Sequence, residues 1–340
     1  MRTALNCFFA TCAALTLAVL VLFICELWQN GWSFSGADSD HYKYREEIIT
    51  EDFSKIIINL TTEDVTLLPS ENDECKLVTF EKVSRPHTAK VEDGALVITY
   101  TDKGSLYDKL RLFNFAKTYT TVYLPKQYYN ALAIGVRTGD VTVGEGIYYD
   151  SASIALTTGD VSFFADALVD LEITGTTGDV EISSNNSGDV RIAMTTGNVK
   201  ITDSIITSLD LSLSTGDLAA EGVTVIKNAK IKGTSGESTL TEFTAGNLYL
   251  KRSTGKTTLE HVYADEILNV ETTTGKVTLC GTDAGEISIK TTTGSINGSI
   301  LSEKEFLARS ASGSVNVPDT SGPICRLETT SGSIKIMIGG

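Results

Sequence analysis

Proline is nearly missing from this chain, at 5 in 340 residues, histidine is rarer still at 3, and bases fall short of acids, 28 Lys and Arg against 43 Asp and Glu. Each shortage excludes something. So little proline rules out a Pro-rich linker protein, and the 29 glycines do not follow the three-residue period of collagen. A net charge of −15 argues against general nucleic-acid binding, which needs Lys and Arg to displace counterions from phosphates. His41, His87 and His261 are far apart, with no ligand spacing between them. Cysteine is present but unpatterned. Cys7, Cys12 and Cys25 fall in an apolar run, while Cys75, Cys280 and Cys325 are scattered without CxxC spacing, so isolated thiols are expected rather than a zinc site or a disulfide framework. At 41% apolar residues the chain can nevertheless bury a core.

Ala4 to Cys25 carries no charge. Twenty-two helical residues span about 33 Å, enough for a bilayer core, and Trp28 and Trp32 follow where an interfacial aromatic belt would sit. A cleaved signal peptide has a shorter apolar region closely followed by a small-residue cleavage site; here the first such site, Ser35-Gly36-Ala37, lies well beyond the run. Ile24 stands where a lipoprotein signal needs a small residue before Cys25. The run therefore predicts a transmembrane helix that ties the protein to the membrane, with Arg2 favouring the N-terminus inside and the remainder outside the cell.

The main feature is a repeat. RTGDV, TTGDV, TTGNV, STGDL, TSGES, STGKT, TTGKV, TTGSI, ASGSV and TSGSI recur with glycines at Gly139, Gly159, Gly178, Gly197, Gly216, Gly236, Gly255, Gly275, Gly294, Gly313 and Gly332, in steps of 19 or 20. Periods of this size mean a solenoid. Two residues after the glycine stand Val141, Val161, Val180, Val199 and Leu218, with Ser238 and Thr257 as the exceptions in the column. Five before it every copy is apolar, from Ile134, Ile154, Ile173, Ile192 and Leu211 to Ala308 and Leu327. Period-2 alternation on both sides of the glycine predicts two short strands per coil, each with one face inside. The glycine supplies the positive φ of a tight turn. A second, looser turn is expected near Gly188, Gly246 and Gly285, and there the one-residue length variation should fall. One such coil cannot bury its own apolar residues; eleven stacked at ~4.8 Å make a rod of about 48 Å. The fold class is therefore all-β: a β-helix-like solenoid with an N-terminal transmembrane helix. The expected organisation is a cytoplasmic tip and anchor at 1–27, a stalk at 28–45, a cap with degenerate coils at 46–130, and the regular solenoid of eleven repeats at 131–340. KIIINLTTEDVTLL keeps the repeat frame, with Glu63 in the glycine place.

These motifs, KIIINLTTEDVTLL, TTVYLPK and the TTGDV/TSGSI array, resemble over roughly residues 50–340 a bacterial family of β-strand repeat proteins of unknown function that carries the name "putative adhesin". The resemblance implies a surface-exposed β-solenoid, often membrane-anchored, and brings no catalytic residues.

Candidate sites are few. After the turn glycine runs the column Asp140, Asp160, Asp179, Asn198, Asp217 and Glu237, then Lys256, Lys276, Ser295, Ser314 and Ser333. Stacked carboxylates repel, so a weak cation ladder at Asp140, Asp160, Asp179, Asp217 and Glu237 is the one metal candidate, beside the plain reading of Gly-Asp turn chemistry. Residues 139–240 carry 5 bases against 15 acids, and 241–340 carry 9 against 11. The threonines before the glycines serve turn stabilisation better than ice templating. A polysaccharide-processing β-helix needs a cleft with convergent carboxylates, and no insertion in the array is long enough to wall one; no enzyme and no cofactor are expected. Tyr249, Tyr263 and the group Tyr119, Tyr123, Tyr128 and Tyr129 could stack on sugars or pack the cap. The expected role is a non-catalytic adhesin or envelope scaffold binding a cell-surface glycan or protein. The alternatives are a polysaccharide-processing enzyme and an accessory to an envelope-stress sensor. SGSIKIMIGG ends the array without a cap, so the expectation is self-association or partner pairing through the C-terminal coil, or else tolerated fraying there.

Overall fold

The computed structural model describes residues 42–103 and 117–339. The expected anchor at 4–25 and most of the stalk lie outside them. The described residues form twenty-six β-strands and no helix, so none of them builds a helix able to cross a membrane.

A regular coil consists of a long strand such as Tyr148–Thr158, a corner at Gly159, a short strand such as Val161–Phe163, and a second corner leading to the next long strand, Asp166–Thr177. Long strands pair in parallel with long, and short with short. The register places like on like. Ile134, Ile154, Ile173, Ile192, Leu211, Ile231, Leu250, Val270 and Ile289 lie directly over one another, and all nine are buried. Each such side chain is worth about 1.5–3 kcal/mol of burial only because the coils above and below cover it.

The ladder continues round the glycine corner. Gly159 N–H donates to Thr177 O at 3.0 Å and Val161 N–H to Asp179 O at 2.9 Å, a pattern repeated from coil to coil. The glycine requirement is stricter than a turn alone imposes: a Cβ on Gly178, at φ +143°, would stand 1.7 Å from Gly159 O. At Gly178 stacking, as well as φ, excludes a side chain.

The length variation falls in the half of the repeat expected, as register shifts inside the long strands a few residues past the second corner, at Ile206/Leu209 and Val225/Asn228. Beyond Ser238 the expectation of two short strands per coil needs correction. Ser238–Thr254, Thr257–Thr274 and Val277–Thr293 each run continuously through that corner. The bend there is kept by a residue at positive φ, Glu242 or His261, in the place that Asp203 and Gly222 hold in the coils before, followed by a bulge (Ala245/Asn247, Ala264/Ile267).

Both ends depart from sequence order. Lys55–Thr62 and Asp64–Pro69 stack directly on the first regular coil, Ile58 on Ile134 and Val65 on Val141, so Glu63 does occupy the glycine place. The one degenerate coil beyond them is made by Ala95–Tyr100 and Tyr119–Leu124. Antiparallel strands then close the rod: His87–Glu92 on one sheet, and Cys75–Lys82 followed by Tyr42–Ile49 on the other. The edge strand Tyr42–Ile49 carries Lys43, Arg45, Glu46 and Glu47, charges that discourage further pairing. At the other end, Ile324–Ser331 inserts between Val277–Thr293 and Glu305–Ser312, and Ile334–Ile338 between Ile296–Ile300 and Val315–Asn316. The last repeat in sequence is thus an inner coil. The coil left at the tip is Glu305–Asn316, with Leu307 and Val315 exposed. This corrects the expectation that SGSIKIMIGG forms the bare end.

Candidate functional site

The expected cation ladder is brought together in a column and given other work. Asp160 N–H donates to Asp140 Oδ1 at 3.0 Å, Asp179 N–H to Asp160 Oδ1 at 2.7 Å and Asn198 N–H to Asp179 Oδ1 at 2.6 Å. Asp217 N–H then reaches Asn198 Oδ1 at 3.0 Å, and Glu237 N–H reaches Asp217 Oδ1 at 2.7 Å. The side chains of Asp140, Asp160, Asp179, Asn198 and Asp217 thus each cap the amide of the next corner. Asn198 does this as well as aspartate, so the column selects a short side-chain acceptor rather than a charge. Lys117 Nζ sits 2.7 Å from Asp64 and 3.5 Å from Asp140, neutralising the start of the column.

Two polar clusters are closed to solvent. His87 lies between two carboxylates, Nε2 at 2.7 Å from Glu63 and Nδ1 at 2.5 Å from Glu81, all three buried. Burial alone lowers the His87 pKa; hydrogen bonds and charge from Glu63, then Glu81, outweigh it and hold the imidazole above its ordinary value. The cluster fastens the cap strands Cys75–Lys82 and His87–Glu92 to the corner at Glu63. Further along the core, Arg252 is fully enclosed: Nε donates to Ser238 Oγ at 2.7 Å, and Nη1 to the carbonyls of Gly216 (3.0 Å) and Ser235 (3.2 Å). Its Nη2 has no partner among the described residues, and burial lowers its pKa. Ser238, an exception in the apolar column, was the sequence signal for this inward arginine.

The expected tyrosines divide. Tyr129 is buried and stacks on Phe53, so its role is cap packing. Tyr128 and Tyr148 stack on each other in solvent, and Tyr119 joins Phe80 and Tyr42 on the outer face of the cap. Tyr249 lies in a depression. It is framed by three adjacent long strands whose register sets two rows: Lys230, Tyr249, Asn269 and Lys232, Lys251, Glu271. The depression holds about 360 Å³, within the range of small-ligand sites. Its three lysines and one glutamate give 3 − 1 = +2 locally, on a chain of −15. The carboxylate, Glu271, is 2.8 Å from Lys251 Nζ. Such a surface offers a ring for stacking, an amide and two lysines, Lys230 and Lys232, that form no ion pair among the described residues. The lysines escaped the sequence reading because Lys230 and Lys232 meet Lys251 only through coil stacking, 19 to 21 residues apart.

The Toastrack DUF4097 family profile matches residues 53–242 and 238–340, and the chain belongs to that family. Among solved structures it is similar to a "putative lipid binding protein" from Parabacteroides distasonis, at 18% identity and TM-score 0.45 over 76% of this chain and 96% of that one. A "putative cell adhesion protein" from Clostridium sporogenes is 12% identical at TM-score 0.25, covering 86% and 99%. A "putative adhesin" from Bacteroides fragilis is 14% identical at TM-score 0.32, covering 87% and 97%. No curated protein matches the chain.

Proposed function

We propose that this protein is a non-catalytic binding rod, held to the membrane by residues 4–25 and displayed outside the cell, which takes an acidic saccharide in the groove around Tyr249. One observation carries the reading: an aromatic ring and three lysines share an open groove on an otherwise acidic rod. A sugar ring stacks on Tyr249, a carboxylate or sulfate on the sugar meets Lys230 or Lys232, and Asn269 supplies a neutral hydrogen-bonding group. The positive charge is local: on the side away from Tyr249, Lys230 has Asp210 as its strand partner. Glycoside hydrolysis uses two carboxyl groups, whereas this groove holds only Glu271, engaged by Lys251.

The test is adhesion of cells displaying the full chain to immobilised uronic-acid polymer and to a neutral polymer of the same length. Retention on the acidic polymer, weakened by salt and lost in Tyr249→Ala and in Lys230→Gln/Lys232→Gln, is the expected result. Equal retention of the variants removes the groove as the site. Retention on an acidic protein alone reassigns it to a protein ligand, and release of reducing ends from the polymer restores the enzyme reading. Labelling of intact cells with an impermeant amine reagent checks the display: absence of label on the solenoid lysines overturns it.

A further inference from the structure

Most polar clusters on this rod are already spoken for. The Asp140–Asp217 column is taken up by corner amides, and Glu63 and Glu81 approach His87 from its two different nitrogens, so they do not converge on one point. One cluster is different. Glu260 and His261 lie in Thr257–Thr274 and Cys280 in Val277–Thr293, strands whose register sets Glu260 opposite Cys280. One carboxylate oxygen, one imidazole nitrogen and the thiol sulfur all lie within 4.8 Å of one another, at a solvent-exposed corner.

The corner geometry explains the convergence. Asp203, Gly222, Glu242, His261 and Gly281 form a column of left-handed residues, with φ of 45°, 65°, 50°, 52° and 57°. At His261 this backbone carries the imidazole over the next coil, where its ring atoms lie 3.8–3.9 Å from the place of a Cβ on Gly281. Gly281 has no side chain to push the ring away, and its amide is pinned by Ser299 Oγ at 3.0 Å. Cys280, one residue earlier, is an exposed free thiol.

We propose that Glu260, His261 and Cys280 bind a divalent transition metal of the zinc class, clamping two neighbouring coils. The donor set makes the choice: thiolate and imidazole favour zinc, cobalt or nickel, whereas calcium and magnesium take oxygen ligands. Around a tetrahedral zinc, donors stand about 3.5 Å apart, so exposed side chains need only rotate inward by about 1 Å. As the metal–sulfur bond forms, the Cys280 thiol releases its proton to solvent. Thiolate and carboxylate then balance the ion's two positive charges, and water fills the fourth position. Cys75 and Cys325 do not compete: they are buried, and burial pushes both thiols up to about 12.

The experiment is a cobalt titration of the full chain in detergent, followed by zinc. Binding of about one equivalent, a thiolate-to-cobalt band in the near ultraviolet and displacement by zinc are expected. Cys280→Ser should lose the band. His261→Gly, which suits the corner as Gly222 and Gly281 do, should weaken binding by more than about tenfold. Zinc should also shield Cys280 from maleimide until a chelator is added, a readout that needs no variant to fold. No band, the same band in Cys280→Ser, undiminished binding by His261→Gly, or unshielded Cys280 would each overturn the site.

Discussion

Replacing Gly197 with alanine tests whether stacking, rather than turn conformation, reserves the corner for glycine. Gly197 has φ +131°, and a Cβ there would stand 1.9 Å from Gly178 O and 2.6 Å from Gly178 C, which are backbone atoms of the neighbouring corner. Ordinary carbon contact distances then require the two corners to part by more than about 1 Å. That movement strains the Gly178 N–H bond to Thr196 O (3.1 Å) and the Asn198 N–H bond to Asp179 Oδ1 (2.6 Å). The forced positive φ costs about 1–2 kcal/mol, and two weakened hydrogen bonds cost about 1 kcal/mol each, so the sum is about 3–4 kcal/mol. Gly146 provides the control. It too has positive φ, +79°, but nothing lies within 4 Å of its Cβ position, so Gly146→Ala should cost only about 1–2 kcal/mol. Urea unfolding, with midpoint and slope both followed because repeat arrays can lose cooperativity, gives the comparison. Equal losses for the two variants would refute the reasoning and return the glycine to a purely conformational role.

Asp179→Asn should keep the capping bond, as Asn198 does naturally, and leave stability within about 0.5 kcal/mol, while Asp179→Ala should cost about 1 kcal/mol in the same urea assay. His87 has a folded-state pKa above its ordinary value. Its stabilising contribution is therefore complete below the unfolded pKa of about 6.5 and fades as pH rises through the folded value. The urea midpoint should accordingly fall on the alkaline side more steeply for the native chain than for His87→Gln. Arg252→Met should leave stability unchanged or raise it by about 1–3 kcal/mol, because it replaces a buried charge with an unpartnered nitrogen by an apolar chain of similar reach; a loss in calorimetry would contradict this.

The solenoid was legible because its burial is periodic: Ile154, Ile173 and Ile192 recur at one step, and a stacked ladder is the only way to cover them all. The site chemistry was much less so. Sequence motifs advertise ligands by short spacings, whereas this fold assembles neighbours one coil apart, which is how His261 meets Cys280 and Lys232 meets Lys251 across 19 residues. The buried Glu63, His87 and Glu81 come from three segments joined only by the cap's antiparallel strands, so no local pattern marks them. Ser238 was the exception: a polar residue at an apolar position, whose partner Arg252 lies 14 residues on.

The exchanged ends follow from the same physics that makes the middle regular. Parallel stacking rewards matched faces, not chain order, so any segment with the right alternation can be the next rung. At the C-terminal end Cys325 and Leu327 pair with Ile287 and Ile289 on one side and with Phe306 and Ala308 on the other. Ile324–Ser331 is thereby held from both sides, and so is Ile334–Ile338, between Ile296–Ile300 and Val315–Asn316. The exposed rung becomes Glu305–Asn316, and it is tethered at both ends by the chain itself. On one side Lys304, buried, bonds Asp283 at 2.9 Å and Ala284 O at 2.6 Å. On the other, Thr320 Oγ1 returns to Lys304 O at 2.8 Å. A rung closed into a loop has less freedom to lose than a loose terminus when it packs. The insertion therefore holds Ile324–Ser331 and Ile334–Ile338 within the stack and leaves Glu305–Asn316 as the outermost rung among the described residues.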